Sequence, residues 1–314
     1  MNPTLFTAFV VLASLLFGFG VGVMPALAKA PTPAPHTHES GTMPPLNPPT
    51  NTPTNTPTNT PPTLHLSHEA QVAKQALLAK AYQYQGQGDP DGRIQHELDG
   101  YVATLLANAP EETTGSLADR ADRLAGAWQQ VWGPYEYRNN SRGVDPTTSV
   151  NHIYQVIFPS ACTAQVGSYY NVMPLRSKTG QPTDKVILLK GEYQLAPPPK
   201  DQLATTILPT RLGVQFVEFT GVYASKKQTI LGQAPALNYP ALAEAASAGR
   251  LKRDFTILPK PLVRLFLGQG ELNEVYTDDT LRITYDQSKR SKGKETPMLY
   301  ILVRPSSFGQ AMSR

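Results

Sequence analysis

The clearest alternation of apolar and polar positions lies near the C-terminal end of the chain, from Val275 to Arg304. One face of this stretch carries Leu281, Ile283 and Tyr285, and the other face carries Arg282, Thr284 and Asp286. A period of two predicts a half-buried β-strand. Residues 298–303 are apolar on both faces, which predicts a second, more deeply buried strand. The two strands are expected to form an antiparallel hairpin that ends the fold, and Asp278-Asp279 supplies turn residues before it.

Further short strands are predicted from about residue 126 onwards. They are expected at residues 128–132 with 135–137, 150–158, 169–175, 186–195, 212–223, 254–258, 262–267 and 272–277. The alanine-rich stretch from Tyr239 to Arg250 interrupts them and predicts a helical insert. Many short strands of similar length, separated by Gly and Pro turns, favour one antiparallel sandwich or barrel over βαβ units.

Residues 64–125 have helical periodicity instead. Ser67 is a candidate N-cap for a first helix, and a second helix is expected to end at Ala109-Pro110. A short third helix is expected from Leu117 to Ala125, just before the first strand. These helices are expected to pack beside the strands, and binding of a partner protein through them is the alternative.

The N-terminal part of the chain has a different composition. Residues 5–28 contain no charged side chain and end in Ala26-Leu27-Ala28, so residues 1–28 are predicted to be a cleaved signal peptide or a retained membrane anchor. Residues 29–63 are rich in Pro and Thr and predict a disordered linker, because such a segment cannot bury apolar surface. Residues 306–314 are expected to form a tail. Both alternatives for residues 1–28 place the folded domain outside the cytoplasm, either exported to the thylakoid lumen or periplasm or anchored to a membrane.

Composition and motifs favour a binding protein over an enzyme. The 314 residues contain one cysteine, Cys162, which excludes an internal disulfide and a cysteine-based zinc site. The net charge of +4 permits contact with anionic lipid but does not indicate nucleic acid. The basic run at residues 289–294 is either a solvated loop or a lipid contact. His152 is expected to be a structural histidine, and no catalytic, metal-binding or cofactor motif is present.

Two segments are distinctive: one is Tyr276 to Ile283 followed by Leu299 to Arg304, and the other is Leu124 to Trp132, which contains Gly126-Ala127-Trp128. Both resemble segments of the plastid lipid-associated proteins, also called fibrillins. The resemblance implies a mainly β fold with N-terminal helices, in which residues 126–305 form a lipocalin-like antiparallel barrel. It also implies association with lipid, prenylquinone or carotenoid at photosynthetic membranes or lipid bodies.

Non-enzymatic binding of an apolar small molecule or lipid is therefore the expected function, with contact to a membrane surface. The candidate ligand-binding residues are Trp128, Tyr154, Phe216, Tyr285, Tyr300, Arg282 and Arg304, and the aromatic ones are expected to face the interior of the barrel. A scaffold that binds a protein partner and a barrel enzyme of unknown reaction are the alternatives. A filled interior with an exposed apolar patch would favour the scaffold, and converging polar residues with perturbed pKa values would favour the enzyme.

The resemblance also places Trp128 on the first strand beside Arg304 on the last. First and last strands must pair to remove the sheet edges. A guanidinium group over an indole ring is stabilised by about 2 kcal/mol when both are desolvated. Arg304 is therefore expected to pack on Trp128 and to satisfy carbonyl groups at the end of the barrel, with Arg282 as the alternative partner of Trp128.

Overall fold

The computed structural model describes residues 66–85, 87, 89, 91–109, 117–133, 147–148, 153–160, 163, 165–176, 181–196, 210–233, 237–255, 262–264, 269–286 and 297–305. The strands in these parts of the chain are β1 Gly126–Trp132, β2 Thr147–Thr148, β3 Tyr154–Pro159, β4 Val166–Arg176, β5 Pro182–Ala196, β6 Thr210–Tyr223, β7 Gln269–Thr277, β8 Leu281–Asp286 and β9 Met298–Val303. The helices are α1 His68–Gln83, α2 Arg93–Asn108, α3 Leu117–Leu124, α4 Gln228–Leu231 and α5 Pro240–Ser247, with a 3-10 turn at Ala224–Lys227.

Eight of the described strands close into an antiparallel barrel. Their order is β4-β3-β1-β9-β8-β7-β6-β5, and β5 pairs with β4 to complete the ring. Apart from the two-residue β2, which pairs with the end of β4, each barrel strand lies beside its neighbours in sequence. This is an up-and-down barrel, the strand arrangement of lipocalins. The predicted fold class, a mainly β protein with N-terminal helices and a lipocalin-like barrel, is confirmed.

Side chains alternate between the inside and the outside of the barrel wall. On β5, Ile187 and Leu189 belong to the inner apolar cluster, whereas Val186 and Leu188 belong to an outer one. The inner cluster includes Trp128, Ile157, Tyr169, Met173, Leu212, Val214, Phe216, Phe219, Tyr300 and Leu302. Because the period of a strand is two, burial on both faces requires that something also cover the outside of the barrel.

Helices α1 and α2 cover the outside of the wall at β7, β8 and β9. Their buried residues, among them Leu77, Leu98 and Leu105, pack with Ile283, Leu299 and Ile301. Polar contacts fix the same layer, since the Gln95 Nε2 donates to the Pro297 carbonyl at 2.6 Å and the Tyr285 hydroxyl donates to Asp99 at 2.7 Å. The sequence prediction that the helices pack beside the barrel is confirmed.

The ends of both long helices follow from local hydrogen bonding. The Ser67 Oγ accepts a hydrogen bond from the Ala70 N–H at 3.1 Å, so Ser67 is the predicted N-cap of α1. The Asp89 carboxylate accepts from the N–H groups of Ile94 and Gln95 at 2.9 Å each, at the start of α2. Helix α2 ends at Asn108, just before Pro110.

A second outer layer covers β3 to β6. The leucine and alanine side chains of α4 and α5 pack with Val156, Val172 and Leu188. Helix α5 confirms the predicted helical insert. The strand predicted at residues 262–267 is wrong for its described part, because residues 262–264 are helical and Val263 is buried against the inner cluster.

Several sequence predictions fall outside the described residues. They concern the N-terminal segment 1–28, the linker 29–63, the strand at 135–137, His152, Cys162, the basic run 289–294 and the tail 306–314. Within the described residues, no helix has the length and apolar character needed to cross a membrane.

Candidate functional site

The inner wall of the barrel carries a buried ion pair between neighbouring strands. The Arg282 guanidinium of β8 donates to the Glu274 carboxylate of β7 through Nε at 2.9 Å and through Nη2 at 2.5 Å. Its Nη1 donates to the Gln155 Oε1 of β3 at 2.7 Å, across the interior. Burial alone would lower the pKa of Arg282, but the charge and hydrogen bonds of Glu274 raise it, so the side chain stays cationic.

A second polar group lies on β3 and β4. Gln155 and Asn171 are directly opposite each other, and Gln155 is also opposite the inward-facing Trp128. The Tyr169 hydroxyl donates to the Asn171 Oδ1 at 2.9 Å. Burial raises the pKa of Tyr169, so its proton is held firmly. Together with Arg282 and Glu274 these side chains form a polar region inside an otherwise apolar barrel.

The polar region continues along β8, β9 and β1. Thr284 is directly opposite Glu274 on one side and Tyr300 on the other, so the three side chains share the inner face. Gln130 is opposite Leu302, which also faces inward. We call Gln130, Tyr300, Thr284, Glu274 and Arg282 the inner polar arc.

Two side chains of this arc have unused hydrogen-bonding capacity. Among the residues that the structure describes, the Gln130 Nε2 and the Thr284 Oγ1 are buried without a hydrogen-bond partner. Gln130 is 2% exposed and Thr284 is fully buried. Three other buried atoms share this property, on Trp132, Arg211 and Asn273, but those side chains lie on outward-facing positions of their strands. Buried polar groups without a partner cost about 1–3 kcal/mol each, so the two on the inner wall call for an explanation.

One end of the barrel is closed by Arg304, as predicted. Its guanidinium carbon lies 3.8 Å from the centre of the Trp128 ring. Its Nη1 and Nη2 donate to the carbonyls of Ala125 and Arg123 at 2.5 and 2.6 Å, and the Trp128 Nε1 donates to the Leu124 carbonyl at 2.9 Å. Burial lowers the pKa of Arg304 to about 10, which leaves it cationic at neutral pH.

The glycine of the Gly-x-Trp segment is required at this closure for two reasons. Gly126 has φ of 96°, a left-handed conformation that other residues adopt only with strain. A Cβ atom at this position would also lie 2.7 Å from the Arg304 Nη1. The closure therefore depends on the Gly126 backbone as well as on the stacked pair.

The structure places most, but not all, of the candidate ligand-binding residues inside the barrel. Trp128, Phe216 and Tyr300 belong to the inner cluster, and Arg282 is on the inner wall. Tyr154 and Tyr285 were expected to face inward, and this was wrong. Tyr154 packs on the outer layer 6.0 Å from the Tyr239 ring, and Tyr285 packs against α1 and α2.

Sequence reasoning did not find Glu274, Gln155, Asn171, Gln130 or Thr284 as members of the site. The signal was present for Thr284, because it shares the Arg282 face of the alternating segment. The other four lie on strands whose partners cannot be read from sequence spacing, so nothing linked them to Arg282.

The carboxylate pair Asp278-Asp279 lies in a turn, as predicted. Asp278 accepts hydrogen bonds from the N–H groups of Thr280 and Leu281 at 2.7 and 2.8 Å. In the described part of the chain, no group of three or more His, Cys, Asp or Glu side chains could hold a metal ion.

These features define a closed up-and-down barrel with a polar region in its interior and helices on its outside. Compared with protein-family models, with curated proteins and with solved structures, the chain matches none of them.

Proposed function

We propose that this barrel is a non-enzymatic binding protein for a small, mainly apolar molecule, held inside the barrel with its polar end at the inner polar arc. The observation that carries the proposal is the pair of unpartnered atoms, the Gln130 Nε2 and the Thr284 Oγ1, on the inner wall. Ligand sites are typically apolar with a few convergent polar groups. An eight-stranded barrel is just wide enough either to be filled by its own side chains or to hold one small ligand.

The apolar part of the ligand would lie against the inner cluster. Trp128, Phe216 and Tyr300 are the proposed contacts there, and Arg282 is a proposed contact at the polar end. Arg304 is proposed to hold Trp128 in place, because its own N–H groups bind the Ala125 and Arg123 carbonyls. Since Arg282 and Thr284 are fully buried, a ligand would reach them only after neighbouring side chains move.

The resemblance to the plastid lipid-associated proteins supports the choice of ligands to test. It favours lipid, prenylquinone or carotenoid at a photosynthetic membrane or lipid body, and the uncharged sequence of residues 5–28 favours export or a membrane anchor. The ligand class and the location are part of the proposal, and they rest on the sequence and not on the contacts inside the barrel.

Two alternatives receive less support. A catalytic acid or base needs a pKa near the working pH, whereas the pKa values of Tyr169 and Arg282 are both raised, away from neutrality. A protein-binding scaffold needs an exposed apolar patch, and among the described residues Val72 is the one large apolar side chain that is exposed. A single exposed valine does not form a patch.

Binding inside the barrel is tested with two matched variants of β5. Leu189 faces inward and Leu188 faces outward, and both are buried. Leu189→Phe and Leu188→Phe each overpack a buried layer and are expected to cost about 1–3 kcal/mol of stability. Leu189→Phe is expected to weaken binding of prenylquinone, carotenoid or fatty acyl probes, measured by quenching of tryptophan fluorescence, while Leu188→Phe leaves binding unchanged.

Native mass spectrometry of the protein from its own cells, with organic extraction, would identify the bound molecule. If the folded protein binds none of the probes saturably and carries no extracted ligand, the proposed function is wrong. Equal weakening by the two β5 variants would place any binding site outside the barrel interior.

A further inference from the structure

Within the inner polar arc, the two side chains with unpartnered atoms lie on either side of one tyrosine ring. A Cβ atom at Gly133 would meet both the Gln130 Nε2 and the Tyr300 Cδ1, so these two side chains lie side by side at that end of β1. Thr284 is directly opposite Tyr300 on the neighbouring strand. The Tyr300 ring is therefore flanked by the two side chains that have unpartnered atoms.

The cations near this position are already neutralised or bound. Arg282 has a bidentate contact with Glu274 and a third hydrogen bond to Gln155. Arg304 is held by two backbone carbonyls and the Trp128 ring. Asp286 is opposite Met298, which packs against the inner cluster, so the inner wall carries a second carboxylate besides Glu274.

These charges disfavour an anionic ligand. Burying a carboxylate or phosphate in an apolar interior is costly unless a cation pairs with it. An anion at the arc would have to displace Glu274 from Arg282 and would approach the negative charge already there. A neutral oxygen meets neither obstacle, because an amide N–H donates to it and a hydroxyl can donate or accept.

We propose that Gln130 and Thr284, on either side of Tyr300, form a subsite that receives a neutral carbonyl or hydroxyl group of an apolar molecule and discriminates against carboxylate and phosphate. The inference rests on the proposed function, since it assigns the polar end of the same ligand. It narrows the ligand class to long-chain alcohols, ketones, quinones or esters and excludes free fatty acids.

The test compares ligands that share one chain and differ at one end: a long-chain alcohol, the corresponding methyl ketone, the fatty acid at a pH above its pKa, and the hydrocarbon. The full-length protein is expected to bind the alcohol and the ketone about tenfold more tightly than the fatty acid anion or the hydrocarbon, as one buried hydrogen bond gained or lost changes affinity by about this factor.

Two variants locate the effect. Thr284→Val and Gln130→Leu remove the hydrogen-bonding atoms and keep similar volumes, and each is expected to reduce the preference for the alcohol and ketone over the hydrocarbon about threefold, because the two groups share the hydrogen bonding to the ligand. Thr220→Val is the matched control. Thr220 is opposite the outward-facing Leu188, so this substitution makes the same chemical change outside the barrel. The Thr220 variant is expected to keep the preference of the unchanged protein.

A stability readout separates recognition from a structural role. If the Thr284 hydroxyl serves a ligand, Thr284→Val leaves the melting temperature of the ligand-free protein unchanged or raises it, since a buried polar atom without a partner is removed. A lowered melting temperature with unchanged ligand preference would overturn the subsite. Tightest binding of the fatty acid anion would overturn it while leaving the proposed function intact, and binding of none of the ligands would overturn both.

Discussion

At the scale of single residues, the Arg282–Glu274 pair commits two charges to an interior where each would be costly alone. The side chains are 0% and 1% exposed. A half-exposed pair, Arg211 and Glu271, joins the neighbouring strands β6 and β7, and its side chains are both 33% exposed. Strand β7 thus takes part in two described Arg–Glu pairs that differ in burial.

Glu274→Gln is expected to lower the free energy of unfolding by about 3–5 kcal/mol, because it leaves the Arg282 charge buried without a counter-charge. Glu271→Gln is expected to cost about 0–1 kcal/mol, since water screens the exposed pair. Chemical denaturation of the two variants measures the difference. Equal losses would mean that water reaches the Arg282 side chain in the native protein.

At Arg304, the shape of the guanidinium group matters more than its charge. Arg304→Lys is expected to lower the free energy of unfolding by about 1–3 kcal/mol, because lysine keeps the charge but lacks the flat group that stacks on Trp128 and reaches two carbonyls. The control is Arg253→Lys at an exposed position, where a change within about 0.5 kcal/mol is expected. The denaturant midpoints of the two variants are compared in chemical unfolding. Similar midpoints would show that the stack of Arg304 on Trp128 does not stabilise the closure.

At the scale of elements, β8 shows what the sequence could and could not predict. The alternation of Leu281, Ile283 and Tyr285 with Arg282 and Thr284 predicted the strand correctly. It did not say which face is inside, and the ordinary expectation of apolar side chains inward placed Tyr285 in the interior. In the structure, the apolar face of β8 lies outside, because α1 and α2 pack on it and bury it. The face with Arg282 and Thr284 therefore points into the barrel.

A β-bulge also changes which face of a strand a residue occupies, and sequence spacing does not predict where a bulge lies. The register between β1 and β9 shifts between Gln130 and Trp132, and Val131 and Trp132 both join the outer cluster. A strict period of two would place adjacent residues on opposite faces. By contrast, the Trp128–Arg304 contact was predictable, because it follows from the resemblance and from the need to close the sheet.

The turn between β7 and β8 is tied to helix α1 by one carboxylate. The Lys74 Nζ donates to the Asp278 Oδ2 at 2.5 Å, and the Tyr276 hydroxyl donates to the same oxygen at 2.6 Å. Burial alone would raise the pKa of Asp278, but the Lys74 charge and these hydrogen bonds lower it. A carboxylate whose pKa is lower in the folded than in the unfolded state adds stability above its unfolded pKa, and this stability is lost as the pH falls through the folded pKa.

Asp278→Asn is therefore expected to cost about 1.5–3 kcal/mol at neutral pH, where the charged hydrogen bonds are intact. The cost should shrink as the pH falls below about 4, the ordinary pKa of an aspartate, because the unchanged protein then loses the same contribution. Thermal unfolding at a series of pH values measures this. Asp279→Asn, at the exposed neighbouring position, is the control and should show neither effect; a cost for Asp278→Asn that is constant with pH would contradict the assigned charge.

At the scale of the whole molecule, the barrel wall is buried on both faces at β7 to β9, so its stability and that of the helices are shared. The described apolar side chains form an inner cluster and two outer ones that are separated only by the wall. Polar contacts from Lys74, Gln95 and Asp99 join α1 and α2 to the β7–β8 turn, to β9 and to β8. Removal of the helices would expose the apolar outer face of these strands to water.

The helices and the barrel should therefore unfold in one transition. Leu98 of α2 is fully buried in the outer cluster, and Leu98→Ala is expected to cost about 2–5 kcal/mol. The half-buried Leu106 on the same helix gives the control variant Leu106→Ala, whose cost should be smaller because less apolar surface is lost.

Two spectroscopic probes report on the two parts of the molecule. Far-UV circular dichroism follows the helices, and fluorescence in a Trp132→Phe background follows Trp128 in the barrel. Leu98→Ala should shift both transitions by the same amount, because cooperative unfolding gives coincident probes; loss of helix signal at a temperature where Trp128 stays buried would show that the outer layer melts independently of the barrel.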